Sequence, residues 1–164
     1  MKTALDTTTD KENSLQNLYA ACAKKSFLKF PVAIDTTRLV KEFDQIPETA
    51  WGDSYWDVHC SIDMVLLRGG SKGTDEDFLT DDVTSTPILN ELPYISSLLA
   101  SEGPFGGAAY AFIFRTKPNG ITRVHDDGHE VWKKTVRVHI PIVTNDGAFL
   151  IAEKKAKHLA VGEV

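Results

Sequence analysis

The sequence predicts an α+β domain, mainly β, with flanking helices packed on an antiparallel sandwich or barrel. Three observations lead there. Before residue 105, apolar residues recur at helical spacing in several segments. After Gly103-Pro104, short β-rich runs follow one another closely. Two strong turn signals, Pro118-Asn119-Gly120 and Asn145-Asp146-Gly147, punctuate those runs. At 164 residues the chain is expected to be a single domain, residues 1–164, long enough to bury a core. Residues 11–105 would supply helices and early strands, and residues 107–164 the main β part.

Taken in order, residues 1–10, with Thr7-Thr8-Thr9, read as a frayed polar tail. Leu15, Leu18, Ala21 and Cys22 give residues 11–25 a helical spacing. Phe27 to Ile34 reads as a short edge strand, because Pro31 cannot donate to a ladder. Asp35 is placed to cap a helix carrying Leu39, Val40 and Phe43, which stops before Pro47. Trp51 to Gly70 is strand-like, with Met64-Val65-Leu66-Leu67 its buried centre. From Gly69 through the acidic stretch to Asp82 the composition is that of a long polar loop, a candidate lid. Thr86-Pro87 starts a helix that Pro93 is expected to break in two. Strands are expected at 110–114, 121–124, 135–144, 148–152 and 157–161.

Composition removes several function classes. A net charge of −5, with Lys and Arg scattered, argues against a nucleic-acid surface. No apolar run approaches the ~20 residues of a membrane span, and residues 1–11 lack the apolar core of a signal peptide. A cytoplasmic location is therefore expected. Cys22 and Cys60 are expected to be free, buried thiols. No Cys-x-x-Cys pair, Walker loop or His-Glu-x-x-His pattern is present, so zinc fingers, P-loop NTPases and zincin proteases have no motif here.

The chemistry concentrates in two segments. In Val136 to Ile142, period-two alternation puts the four aliphatic residues on one face and Arg137, His139 and Pro141 on the other. Such a face either meets water or lines a polar cavity. Upstream, His125-Asp126-Asp127 places an imidazole and a carboxylate two residues apart, where both can reach one ion. The pair supplies two legs of the two-His-one-carboxylate triad of non-haem Fe(II) oxygenases. A loop hydrogen bond between them is the plainer alternative. A helical zinc pair from His125 and His129 is disfavoured by Gly120 and Gly128.

Three blocks, Ala109 to Asp127, Val136 to Ile142 and His158 to Val164, resemble in order and spacing the aspartyl/asparaginyl/proline β-hydroxylase family of Fe(II)- and 2-oxoglutarate-dependent dioxygenases. The likeness is strong over 107–164 and looser through Leu89 to Pro93 and Met64 to Gly70. It implies a double-stranded β-helix, the cupin-like jelly roll, with Fe(II) held by His125 and Asp127 and 2-oxoglutarate as cosubstrate. It further implies that Arg137 grips a substrate carboxylate and His139 helps bind 2-oxoglutarate, which suits a guanidinium fork and an imidazole donor. Arg115 is a further 2-oxoglutarate candidate, and Trp132 a candidate to close over the substrate. Arg123 is expected at the mouth or on the surface, and His59 as a structural or surface residue. The substrate implied is a free amino acid such as proline, or an Asp, Asn or Pro residue of a peptide.

In that family a further strand carries the second iron histidine, and an arginine beyond it anchors 2-oxoglutarate. This chain ends at Val164, before both, so the resemblance predicts an incomplete site, in a fragment or a natural variant. His158 precedes the matching position; another cupin metalloenzyme using His125, Asp127 and His158 is the weaker reading. The alternative from a different class is a non-catalytic cupin-like protein that binds a small carboxylate.

Overall fold

The computed structural model describes residues 20–21, 25–54, 56–70, 83–126 and 135–164. They fall in two compact units, one within residues 35–133 and the other combining the N-terminal 34 residues with 134–164. Of the expected helix over 11–25, residues 20 and 21 are helical, residue 25 is not, and the rest lie outside the described residues. The acidic stretch 71–82 lies outside the described residues, as do Cys22, Asp127 and Trp132. Among the described residues, no helix is long and apolar enough to cross a membrane.

In the 35–133 unit, Asp35 caps helix α1 (Thr36–Phe43) as its sequence position predicts, its Oδ1 accepting from the Arg38 N–H at 3.1 Å. The strand-like region 51–70 resolves into β1 (Gly52–Asp53), a 3-10 turn (Asp57–His59) and the nine-residue β2 (Ile62–Gly70). Met64, Val65 and Leu67 are buried in β2, as expected. Gly69 and Gly70, expected to open the polar loop, instead continue the strand. They pair with Thr84 and Val83 of β3 (Val83–Ser85), and it is this partner that extends β2 beyond its apolar run.

Pro93 divides the next helical segment as anticipated, into α2 (Pro87–Asn90) and α3 (Pro93–Leu99), each with its proline in the first turn. Thr86 does not cap α2 with its side chain. Its hydroxyl donates to the Leu66 and Leu67 carbonyls, at 2.8 and 3.1 Å, and pins the helix start to β2. Arg68 reaches the other end of α3, donating to the Leu99 and Ala108 carbonyls at 3.1 and 3.2 Å, where a cation suits the helix C-terminus. β4 (Ala111–Thr116) runs antiparallel along β2, with a bulge between Leu66 and Arg68. The core of this unit lies between the sheet and the helices, around Leu39, Val65, Leu89, Leu92 and Ile113.

In the other unit β5 (Leu150–Ala152) and β6 (Lys155–Lys157) form a hairpin. The N-terminal segment reaches this part of the chain: the Phe30 N–H donates to the Val164 carbonyl at 2.7 Å, and the Ser26 hydroxyl to Glu153 at 2.7 Å. The architecture is thus α+β with antiparallel sheets. Three expected strands do not form, residues 27–34, 121–124 and 135–144 having no ladder, and of the strand expected at 157–161 only residue 157 lies in one, at the end of β6. Alternation orders side chains, but a strand needs a neighbouring backbone to bond. Cys60 is free, as expected, but exposed rather than buried.

Candidate functional site

The segment carrying His125 is set by the turn before it. Pro118 and Asn119, the latter at φ 59°, form a type II turn closed by the Gly120 N–H donating to the Lys117 carbonyl at 2.8 Å. Gly120 is required there for space, since a Cβ would come within 2.8 Å of Ser61 Cβ. The Arg123 N–H then donates to the Val58 carbonyl at 3.0 Å, tying the exposed stretch 121–126 to the 3-10 turn at 57–59.

The His125 ring is oriented by its own backbone. Its Nδ1 lies 2.7 Å from the Arg123 carbonyl oxygen. A carbonyl cannot donate, so Nδ1 carries the proton, and in the neutral imidazole Nε2 carries the lone pair. That is the tautomer a metal-binding histidine needs, with a carbonyl fixing the ring from the other side. The donor set of an imidazole and a carboxylate two residues on suits Fe(II). Among the described residues, no three His, Cys, Asp or Glu side chains come together to hold an ion, and Asp127 is not one of those residues.

An aromatic wall stands beside His125. Phe112 and Phe114 share one face of β4 and stack at 5.6 Å. Trp56 meets Phe112 at 5.8 Å, and His59 meets Trp56, Phe114 and His125 at 5.5, 5.4 and 5.7 Å, all at steep interplanar angles. His59 Nδ1 also lies 3.0 Å from the Ser54 hydroxyl. His59 lines an open cleft of about 370 Å³ together with Asp53, Ser54, Trp56, Asp57 and Arg123. Sequence reasoning gave His59 only a structural or surface role. Its pairing with His125, 66 positions later, follows from the Val58–Arg123 bond, which has no local signal.

Arg115 lies on the opposite face of β4 from Phe114. Its guanidinium grips Glu48 with both ends, at 2.8 and 3.0 Å, and Asp63 at 3.1 Å, and sits 4.2 Å over the Trp51 ring. Asp63 is its cross-strand partner in the β2–β4 register, and Lys117 approaches the same carboxylate at 3.0 Å. The Arg115 bond holds Glu48 below the usual carboxylate range, and Lys117, then Arg115, do the same for Asp63. Both bases are pushed up in turn, Arg115 chiefly by Glu48 and Lys117 by Asp63.

Arg137 and His139 belong to the other unit and are both exposed. His158 also lies there, its Nδ1 donating to the Ala148 carbonyl at 3.0 Å with the ring against Phe149. Arg123 is exposed, as expected for a residue at a mouth or surface.

The chain is similar to an L-proline cis-4-hydroxylase. That relative, from Rhizobium meliloti (strain 1021), is 25% identical over 137 residues, 81% of this chain and 49% of the relative. The chain therefore spans about half the length of this relative. No family model matches the chain, and no solved structure does.

Proposed function

We propose that this chain supplies part of an Fe(II)- and 2-oxoglutarate-dependent hydroxylase acting on an amino acid, with L-proline the first substrate to test. The observation that carries the reading is the His125 ring: its Nδ1 donates to the Arg123 carbonyl, which in the neutral imidazole puts the lone pair on Nε2, two residues before a carboxylate. Similarity to a protein named as a proline hydroxylase, over most of the chain, supports it. The complete fold is proposed to be a double-stranded β-helix, for which the antiparallel pairing of β2 with β1, β3 and β4 is suitable material.

In this reading His125 and Asp127 would hold Fe(II), at which dioxygen would be reduced, one of its oxygen atoms going to 2-oxoglutarate as it loses CO2 to become succinate and the other to the substrate C–H bond as C–OH. The side chains bind, orient and exclude water. His139 donates to the cosubstrate and Arg137 takes a substrate carboxylate in its two-pronged fork. Trp132 is the residue proposed to cover the substrate. Arg115 is left out of the ligand set, because Glu48 and Asp63 already engage its donors.

The test is succinate release from 2-oxoglutarate in air by the full-length protein with L-proline, with and without Fe(II). Turnover that needs Fe(II), yields hydroxyproline and falls by about 100-fold or more in His125→Ala and Asp127→Ala is expected. Absence of iron-dependent turnover with any amino acid overturns the reading. Retained 2-oxoglutarate binding without turnover would instead favour the non-catalytic carboxylate-binding protein.

A further inference from the structure

We propose that His59 is a positioning residue for His125, fixing the direction in which the His125 imidazole presents Nε2. This rests on the reading of His125 as a metal ligand. A histidine held only by its own loop can turn about two side-chain torsions, and stretch 121–126 is exposed throughout. Two devices remove that freedom. The Arg123 carbonyl takes the Nδ1 proton at 2.7 Å, and the His59 ring stands at 75° to the His125 ring with centroids 5.7 Å apart.

His59 is itself braced. Its Nδ1 meets the Ser54 hydroxyl at 3.0 Å, and its ring packs between Trp56 and Phe114 at 5.5 and 5.4 Å. Phe114 belongs to β4, which is paired along β2, so the brace ends on the sheet. The Arg123 N–H bond to the Val58 carbonyl joins the backbone of one histidine's turn to that of the other's segment. Sheet, 3-10 turn and His125 segment therefore form one connected support. A ligand held this way meets the metal with little ordering left to do, which is how groups outside the coordination sphere raise affinity.

The experiment compares the full-length wild type with His59→Ala and His59→Phe. The first removes the ring, and the second keeps the ring contacts while losing the imidazole nitrogens. Co(II) serves as an oxidation-resistant probe for the Fe(II) position, its affinity read from visible absorption. His59→Ala is expected to weaken Co(II) binding by about 10-fold or more, the scale on which orienting neighbours act, and His59→Phe to restore most of it. The His125 ring resonances, read by NMR of histidine-labelled, metal-free protein, are expected to shift in His59→Ala. Melting temperatures of the two variants without metal should coincide, so that their affinities compare like with like. Wild-type Co(II) affinity in His59→Ala, or equal weakening in both variants, overturns the proposal. Unmoved His125 resonances with intact Co(II) binding overturn it alone, whereas a wild type that binds no Co(II) overturns it together with the hydroxylase reading.

Discussion

Glu42 shows at the scale of one residue what burial demands. Among the described residues it is the buried charged residue of the core, at 6% exposure, and its two oxygens accept the Tyr94 and Ile95 N–H groups at 2.6 and 2.9 Å. Those N–H groups belong to the first turn of α3, which has no partner for them within the helix and no capping side chain at Leu92. A carboxylate from α1 thus caps α3 across the packing interface, while the Tyr94 hydroxyl accepts the Asp35 N–H at 2.7 Å in return. Glu42→Gln turns one acceptor into a donor facing an N–H, and should cost about 2 kcal/mol in urea unfolding. A neutral result would mean that water reaches α3's first turn. Nothing local announces this residue, since Glu42 reads as an ordinary polar position on α1. His125 is the opposite case, because the spacing to Asp127 was legible while the tautomer needed the Arg123 carbonyl.

At the scale of elements, punctuation was legible and pairing was not. Asp35 acts through its side-chain oxygen on its own helix, Pro87, Pro93 and Pro118-Asn119-Gly120 through their own backbone, and each falls where expected. The β5–β6 turn had no such signal. Glu153 and Lys154 sit at φ 48° and 65°, the two left-handed positions of a type I′ turn, where Asn-Gly is the ordinary choice. Side-chain residues there carry strain of roughly 1 kcal/mol apiece. Glu153 has a compensating contact in Ser26, and Lys154 is exposed. Lys154→Gly should therefore raise thermal stability slightly, by up to about 0.5 kcal/mol after the entropy glycine adds to the unfolded chain. A lower melting temperature would refute the strain assignment.

Across the whole molecule, charge couples stability to pH. Glu48 and Asp63 are held low by Arg115 and Lys117, and Glu163 by Lys157, at 2.9 Å, with help from the Ala160 N–H. A carboxyl whose folded value lies below its unfolded one binds fewer protons when folded, so its contribution is present above the unfolded value and lost as pH falls through the folded one. Ordinary values are 4.5 for Glu48 and Glu163 and 3.8 for Asp63, so loss should begin below about pH 4.5. Urea midpoints measured from pH 7 to pH 3 should be level at first and then fall. In Arg115→Met the fall should be shallower, because Glu48 loses its partner, though Asp63 keeps Lys117. Glu48 is exposed while Asp63 and Glu163 are half-buried, so high salt should flatten chiefly the Glu48 part of the profile. An unchanged acid limb in Arg115→Met would show that the cluster does not set it.

Alternating and helical apolar spacing, proline and turn chemistry, and the His125–Asp127 interval are properties of neighbouring residues, and the linear chain by itself determined them. Which carboxylates hold Arg115, which helix Glu42 caps, where β2 ends and which ring stands against His125 were decided only in the tertiary structure. Each joins positions far apart in the chain, and a strand, a salt bridge or a ring contact exists only once a partner backbone or side chain arrives to complete it.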